Sequence, residues 1–168
     1  MKKKIIMMLV ALTLSVAAHA QFEQGKVYAS TAMSGLDLNF NSNEKWKLDL
    51  QAKGGYFFED SWMVTAQMEY SYRHYEPNYF TVGGGLRYYI LQNGIYMGLG
   101  ANYSHRRAGD RKVDDFMPSI QIGYAFFLSR TVTMEPEIYY NQSLKDHSAY
   151  SGVGFRIGFG IYLDMFNK

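Results

Sequence analysis

Beyond residue 20 the chain carries three histidines, His74, His105 and His147, and these, with nearby serines and acids, are its most reactive side chains. A metal site needs several ligands converging in fixed geometry, and none of these histidines sits in a ligand spacing such as H-E-x-x-H. Two Ser-His neighbours exist, Ser104 with His105 and His147 with Ser148. Adjacent residues of an extended strand point to opposite faces, so Ser104 cannot hand a proton directly to His105. The acids nearby, Glu76, Asp110, Asp114, Asp115 and Asp146, read as solvated loop residues. No G-x-S-x-G elbow occurs. These patterns lead us to expect neither catalysis, nor a cofactor, nor a metal.

Charge offers two further groupings. Lys53, Arg87 and Arg156 recur at strand positions that share a face with Glu69, Glu135 and Glu137. Three bases and three acids on one face of a closed sheet are expected to pair and fill its interior. The second grouping is Arg106-Arg107-Ala108-Gly109-Asp110-Arg111-Lys112, read as a basic loop. Point charges of Arg and Lys suit phosphate oxygens, so Arg106, Arg107, Arg111 and Lys112 are candidates for contact with a phosphorylated glycolipid.

The elements that hold these residues follow from a period of two. In the last segment Val153, Phe155, Ile157, Phe159, Ile161 and Leu163 alternate with Gly154, Arg156, Gly158, Gly160 and Tyr162. Seven earlier segments can be laid out the same way, which predicts strands over 26–40, 45–58, 62–74, 79–91, 95–107, 116–128, 131–141 and 150–163. In the first of them the apolar set changes face near Gly35, where a bulge would reconcile the halves. Four tetrapeptides, Gly55-Tyr56-Phe57-Phe58, Arg87-Tyr88-Tyr89-Ile90, Ala125-Phe126-Phe127-Leu128 and Gly160-Ile161-Tyr162-Leu163, recur at 32, 38 and 35 residues. Three of them lead into short polar turns, as one β-hairpin used four times would.

A water-soluble barrel would show the same alternation, with its apolar face inward. Bulk decides the sense. The apolar face carries Trp, Tyr, Phe and Leu at nearly every position, too much volume for the inside of eight strands, whereas the other face carries Gly83, Gly85, Gly98, Gly100, Gly123, Gly154, Gly158 and Gly160. The bulky face therefore looks into lipid and the glycine-rich face into a crowded lumen. A tilted strand crosses a bilayer in about 9–11 residues, and closure satisfies every backbone group that hydrocarbon cannot. Aromatics at strand ends then read as interface girdles: Tyr56, Phe58, Trp62, Tyr88, Phe126 and Phe166 at the short-turn rim, with Tyr72, Phe80, Tyr103, Phe116 and Tyr140 at the other.

The first twenty residues read as an address. Lys2-Lys3-Lys4, an apolar run from Ile5 to Ala17 and Ala18-His19-Ala20 form a signal-peptide pattern with cleavage before Gln21. The apolar run is short for a retained spanning helix. This divides the chain into a leader, 1–20, and one barrel domain, 21–168. The leader holds three bases and no acids, so its removal turns the net charge from +2 to −1 and leaves nothing that suggests nucleic acid. The chain has no cysteine, which excludes lipid attachment at a cysteine and a disulfide framework.

Taken together, residues 21–168 resemble the small eight-stranded bacterial outer-membrane β-barrel proteins, of the OmpX and OmpA membrane-domain kind. The most specific motif is Arg156-x-Gly158-x-x-Ile161-x-Leu163, followed by Phe166, which looks like the final-strand signal read by the barrel-assembly machinery. The chain departs from that pattern by continuing through Asn167 and Lys168 after the aromatic. The resemblance implies an all-β, antiparallel, up-and-down eight-stranded transmembrane barrel in the outer membrane. Its expected partners are outer-membrane lipid and lipopolysaccharide, with the assembly machinery during biogenesis and the oligomeric state open. The expected role is non-enzymatic, envelope-structural or surface-interacting. OmpW-like binding or uptake of a small ligand is the alternative, followed by lipid modification.

Overall fold

A computed structural model describes residues 22–34, 48–72, 79–90, 93–108, 111–145 and 151–164. Eight antiparallel strands close on themselves: β1 (Lys26–Ser34), β2 (Leu48–Glu59), β3 (Trp62–Tyr72), β4 (Tyr79–Tyr89), β5 (Ile95–Ala108), β6 (Arg111–Tyr124), β7 (Val132–Asn141) and β8 (Gly152–Asp164). Each pairs with its neighbours in sequence, and β1 pairs with β8 from Lys26↔Asp164 to Met33↔Ile157, which closes the wall. Beyond Ala125 the β6 ladder resumes at Phe126–Phe127 in unchanged register against β7.

The alternation that predicts the strands also sorts their side chains. Along β2, Gln51, Lys53 and Phe57 are buried while Leu50, Tyr56 and Phe58 are exposed. Outward positions elsewhere hold Trp62, Val64, Phe80, Leu86, Leu99, Phe116, Ile120 and Ile161, all exposed. An apolar coat of this extent suits hydrocarbon rather than water. Among the expected girdle residues Tyr56, Phe58, Trp62, Phe80, Tyr103, Phe116 and Phe126 face outward, and Trp62 packs on Tyr88 with ring centroids 4.8 Å apart.

Two expectations need correction. The segment 108–115, read as a loop, is largely strand: β6 begins at Arg111, and the β5–β6 ladder runs out to Ala108↔Arg111. Polar residues on both faces hide the alternation there. Across the ladder His105 Nδ1 lies 2.6 Å from Asp114 Oδ1, a pair that ties the hairpin together. Nor does pairing stop at the predicted end of the strand 131–141, since the amides of Gln142 and Leu144 donate to the carbonyls of Pro118 and Phe116. The change of face near Gly35, Tyr72's side chain, Phe166 and residues 1–20 lie outside what is described.

Inside the wall the glycines let neighbours approach. A Cβ on Gly160 would stand 2.7 Å from both Glu135 Oε1 and a ring carbon of Tyr28, and 2.8 Å from Thr133 Oγ1. At Gly158 the nearest atom would be 3.5 Å away. Gly160→Ala is therefore expected to cost about 1–3 kcal/mol through overpacking, whereas Gly158→Ala leaves stability near that of the parent. Urea midpoints of the two variants in lipid vesicles check the contrast.

Candidate functional site

The candidate site is the lumen, built from inward positions of all eight strands. Around its middle the six charged residues singled out by sequence meet in one network. Arg87, 1% exposed on β4, donates through Nη1 to Glu135 Oε2 at 3.0 Å and through Nη2 to Glu137 Oε2 at 3.2 Å. Both acids lie on β7, two residues apart and therefore on one face. Arg156 of β8 donates Nε to Glu137 Oε1 at 2.6 Å and lies 3.8 Å from Glu69 Oε2. Lys53 of β2 stands 3.6 Å from Glu137 Oε2. Three bases thus face three acids in a region largely removed from water, where charges persist only when paired and hydrogen-bonded.

Tyrosines complete the acids' coordination, and the sequence reading did not find them. Glu135 accepts from Tyr28 OH at 2.7 Å, Tyr162 OH at 2.9 Å and Thr133 Oγ1 at 2.9 Å. Glu137 accepts from Tyr96 OH at 3.1 Å. The Arg87 guanidinium carbon lies 3.9 Å from the Tyr96 ring centroid, and that of Arg156 lies 4.1 Å from Tyr139's, distances at which the ring quadrupole attracts a cation. The cavity left among these groups is about 10 Å³, close to the least that holds one water molecule.

Below the network, toward the short turns, the lumen is stoppered by rings. Phe22, Phe57, Tyr89 and Tyr162 are buried, and Phe127 packs against them. Four of these, Phe57, Tyr89, Phe127 and Tyr162, are the third residues of the four recurring tetrapeptides. The second residues face lipid; the third face inward. The repeat was therefore the signal for this plug, and reading aromatics mainly as lipid coat overlooked it. The lumen is accordingly aromatic at one end.

The remaining candidates are placed as follows. The backbones of Arg107 and Lys112, and of Ala108 and Arg111, are register partners at the tip of the β5–β6 hairpin, with Arg106 opposite Val113 and Tyr79. Gly158 and Arg156 face the lumen on β8, while Ile161 and Leu163 are exposed on the lipid side. Ser104 is fully buried and His105 points outward to Asp114, so the two do not meet. Asp115 is not a solvated loop acid: it is buried and accepts a 2.6 Å bond from Ser143 Oγ. His74, Glu76, Asp110, Asp146 and His147 lie outside the described residues.

Comparison with known proteins agrees with this architecture. A family model for the outer membrane protein beta-barrel domain matches residues 6–165. Among solved structures, the N-terminal β-barrel domain of Pseudomonas aeruginosa OprF is similar with TM-score 0.58 and 12% identity, over 83% of this chain and 98% of that one. OprG from Pseudomonas aeruginosa gives 0.56 and 14%, over 84% and 97%. Ail, the attachment invasion locus protein of Yersinia pestis, gives 0.53 and 15%, over 83% and 99%. No curated protein sequence matches the chain.

Removing Arg87 leaves the buried Glu135 carboxylate with no basic partner among the described residues, while Glu137 keeps Arg156 and Lys53. Arg87→Ala is expected to destabilise the barrel by about 3–5 kcal/mol, the range for breaking a buried pair from one side. Replacing Arg87 and Glu135 together by apolar residues of similar volume, which leaves Glu137 paired with Arg156 and Lys53, should cost less than Arg87→Ala alone. Urea unfolding from lipid vesicles measures both, and equal losses would contradict a network held by charge.

Proposed function

Because the chain belongs to the outer membrane protein β-barrel domain family, we propose that it is a non-conducting, non-catalytic barrel of the bacterial outer membrane. Its lumen serves stability and its long-loop end serves contact with the envelope surface. The observation that carries this reading is Arg87, held between Glu135 and Glu137 beside a cavity of about 10 Å³. Uptake of a small apolar ligand needs an open apolar path, and charged groups pack across the middle of this lumen. Acyl-transfer chemistry needs a nucleophile beside a base, and Ser104 and His105 stand on opposite faces of β5.

The contact surface in this reading is the β5–β6 hairpin. Its two strands have 14 residues each, against 9 to 13 in the others. Arg106, Arg107, Arg111 and Lys112 cluster near its tip, and the chemistry they fit is phosphate on the sugars of the outer-leaflet glycolipid. A solved structure of Ail, similar in fold, is a complex with the heparin analogue sucrose octasulfate, and that polyanion interaction supports the reading by analogy. Residues 1–20 act as the leader, cleaved before Gln21. Arg156, Gly158, Ile161, Leu163 and Phe166 then present the final strand to the assembly machinery.

A basic residue near an anionic surface contributes about 1 kcal/mol at low salt. Neutralising Arg106, Arg107, Arg111 and Lys112 to Gln should therefore weaken binding of phosphorylated core oligosaccharide to the nanodisc-embedded barrel by at least about tenfold. Calorimetric titration checks it, and unchanged affinity would remove the hairpin from the account.

A further inference from the structure

The four residues before β1 do more than enter the first strand. Phe22 is fully buried inside the short-turn end of the lumen, with its ring stacked on Tyr89 at a centroid distance of 4.0 Å and 18° between planes. The same ring lies edge-on to Tyr162 at 5.6 Å, and tilted against Phe127 at 5.6 Å and Phe57 at 6.2 Å. One side chain therefore touches β2, β4 and β8 and the continuation of β6. Two of those strands, β2 and β8, flank β1 on either side of the closing seam.

Beyond this packing, hydrogen bonds to the end of β2 and the turn after it hold the segment. The Phe22 carbonyl accepts from the Ser61 amide at 2.7 Å, and the Gly25 amide donates to the Phe57 carbonyl at 2.9 Å. Exposed Gln24 adds two bonds, from its own amide to Asp60 Oδ1 at 2.9 Å and from Nε2 to the Phe58 carbonyl at 3.0 Å. Gly25 has φ +89°, with no atom within 4 Å of where a Cβ would stand. Glycine meets a backbone requirement at this position, the reversal that turns the segment from β1 back under the barrel. Two of the four anchors, those of Gln24, are exposed, while the backbone bonds from Ser61 and Gly25 reach buried Phe22 and Phe57 and the occupant is a large apolar ring.

From this we infer that Phe22–Gly25 is a strap hinged at Gly25, with Phe22 as a stopper that closes the lumen on its short-turn side. When the strap is withdrawn, the lumen becomes a blind vestibule walled by Phe57, Met63, Tyr89, Phe127 and Tyr162 and roofed by the Arg87 network. In a barrel of this kind the short turns face the periplasm, so the vestibule opens inward while the route across the membrane stays shut. Local openings of this sort draw on the least stable part of a fold, here the exposed Gln24 bonds.

The chain has no native cysteine, so one thiol reports on the vestibule. Met63 is fully buried within it, and Met63→Cys in the processed, nanodisc-embedded barrel is the parent for labelling by a charged, water-soluble methanethiosulfonate. Against that parent, Gln24→Ala with Asp60→Ala should raise the labelling rate at least tenfold, and Phe22→Ala should raise it further. Both Gln24 and Asp60 are exposed, so the double variant decides the matter if Phe22→Ala fails to fold, provided the barrel keeps its heat-shifted gel mobility. Labelling of the folded double variant at the parent's rate would overturn the strap.

Discussion

The constraint on which this structure depends is the width of its own interior. Eight strands closed into a barrel leave a lumen wide enough only for side chains. Every inward residue must therefore fit its opposite neighbours, and most of the charged groups there find their partners on other strands rather than in water. Most of the large apolar residues are sent outward into lipid, Phe22, Phe57, Met63 and Phe127 at the short-turn end being turned inward, and glycine appears inside where another strand's side chain comes close, as Glu135, Tyr28 and Thr133 do against Gly160.

The same narrowness organises the charges. Glu135 and Glu137 lie two residues apart on β7 and so enter the lumen together; alone they would repel each other in a region of low dielectric. Arg87 answers both at once, Arg156 reaches Glu137 from the adjacent strand, and Lys53 approaches from β2. Tyrosine hydroxyls fill the remaining acceptor positions on the carboxylates. Their rings continue downward into the aromatic plug, where Tyr89 OH and Tyr162 OH are 2.8 Å apart. Polar network and plug are thus one packed body whose members are shared, and a change at one level is felt at the next.

Much of this was legible in the sequence where a residue's neighbours at i±2 agreed with it. The strand faces and the membership of Lys53, Glu69, Arg87, Glu135, Glu137 and Arg156 in one face follow from a period of two, while the closed antiparallel wall rests on the backbone's need for partners in lipid and on the family resemblance. The alternation cannot say which residues meet across the lumen, because that depends on how strands are disposed around the barrel. So the tyrosines on Glu135 and Glu137 were invisible, and Tyr89 and Tyr162 looked like aromatics in an aromatic chain. The extension of the β5–β6 hairpin was missed for a different reason. Arg111, Lys112, Asp114 and Asp115 are polar on both faces, so no pattern marks them as strand. Phe22 carried no periodic signal at all, being a single ring ahead of the first strand.

The claim that ties these features together is that the lumen is closed by paired charge above and stacked rings below. Electrical recording on single purified barrels in planar bilayers tests it most directly. The account predicts no steady ion current at moderate voltage, either for the parent protein or for a variant lacking the aromatic stopper, because the Arg87 network blocks the path by itself. A stable, stepwise conductance in the parent protein would contradict it.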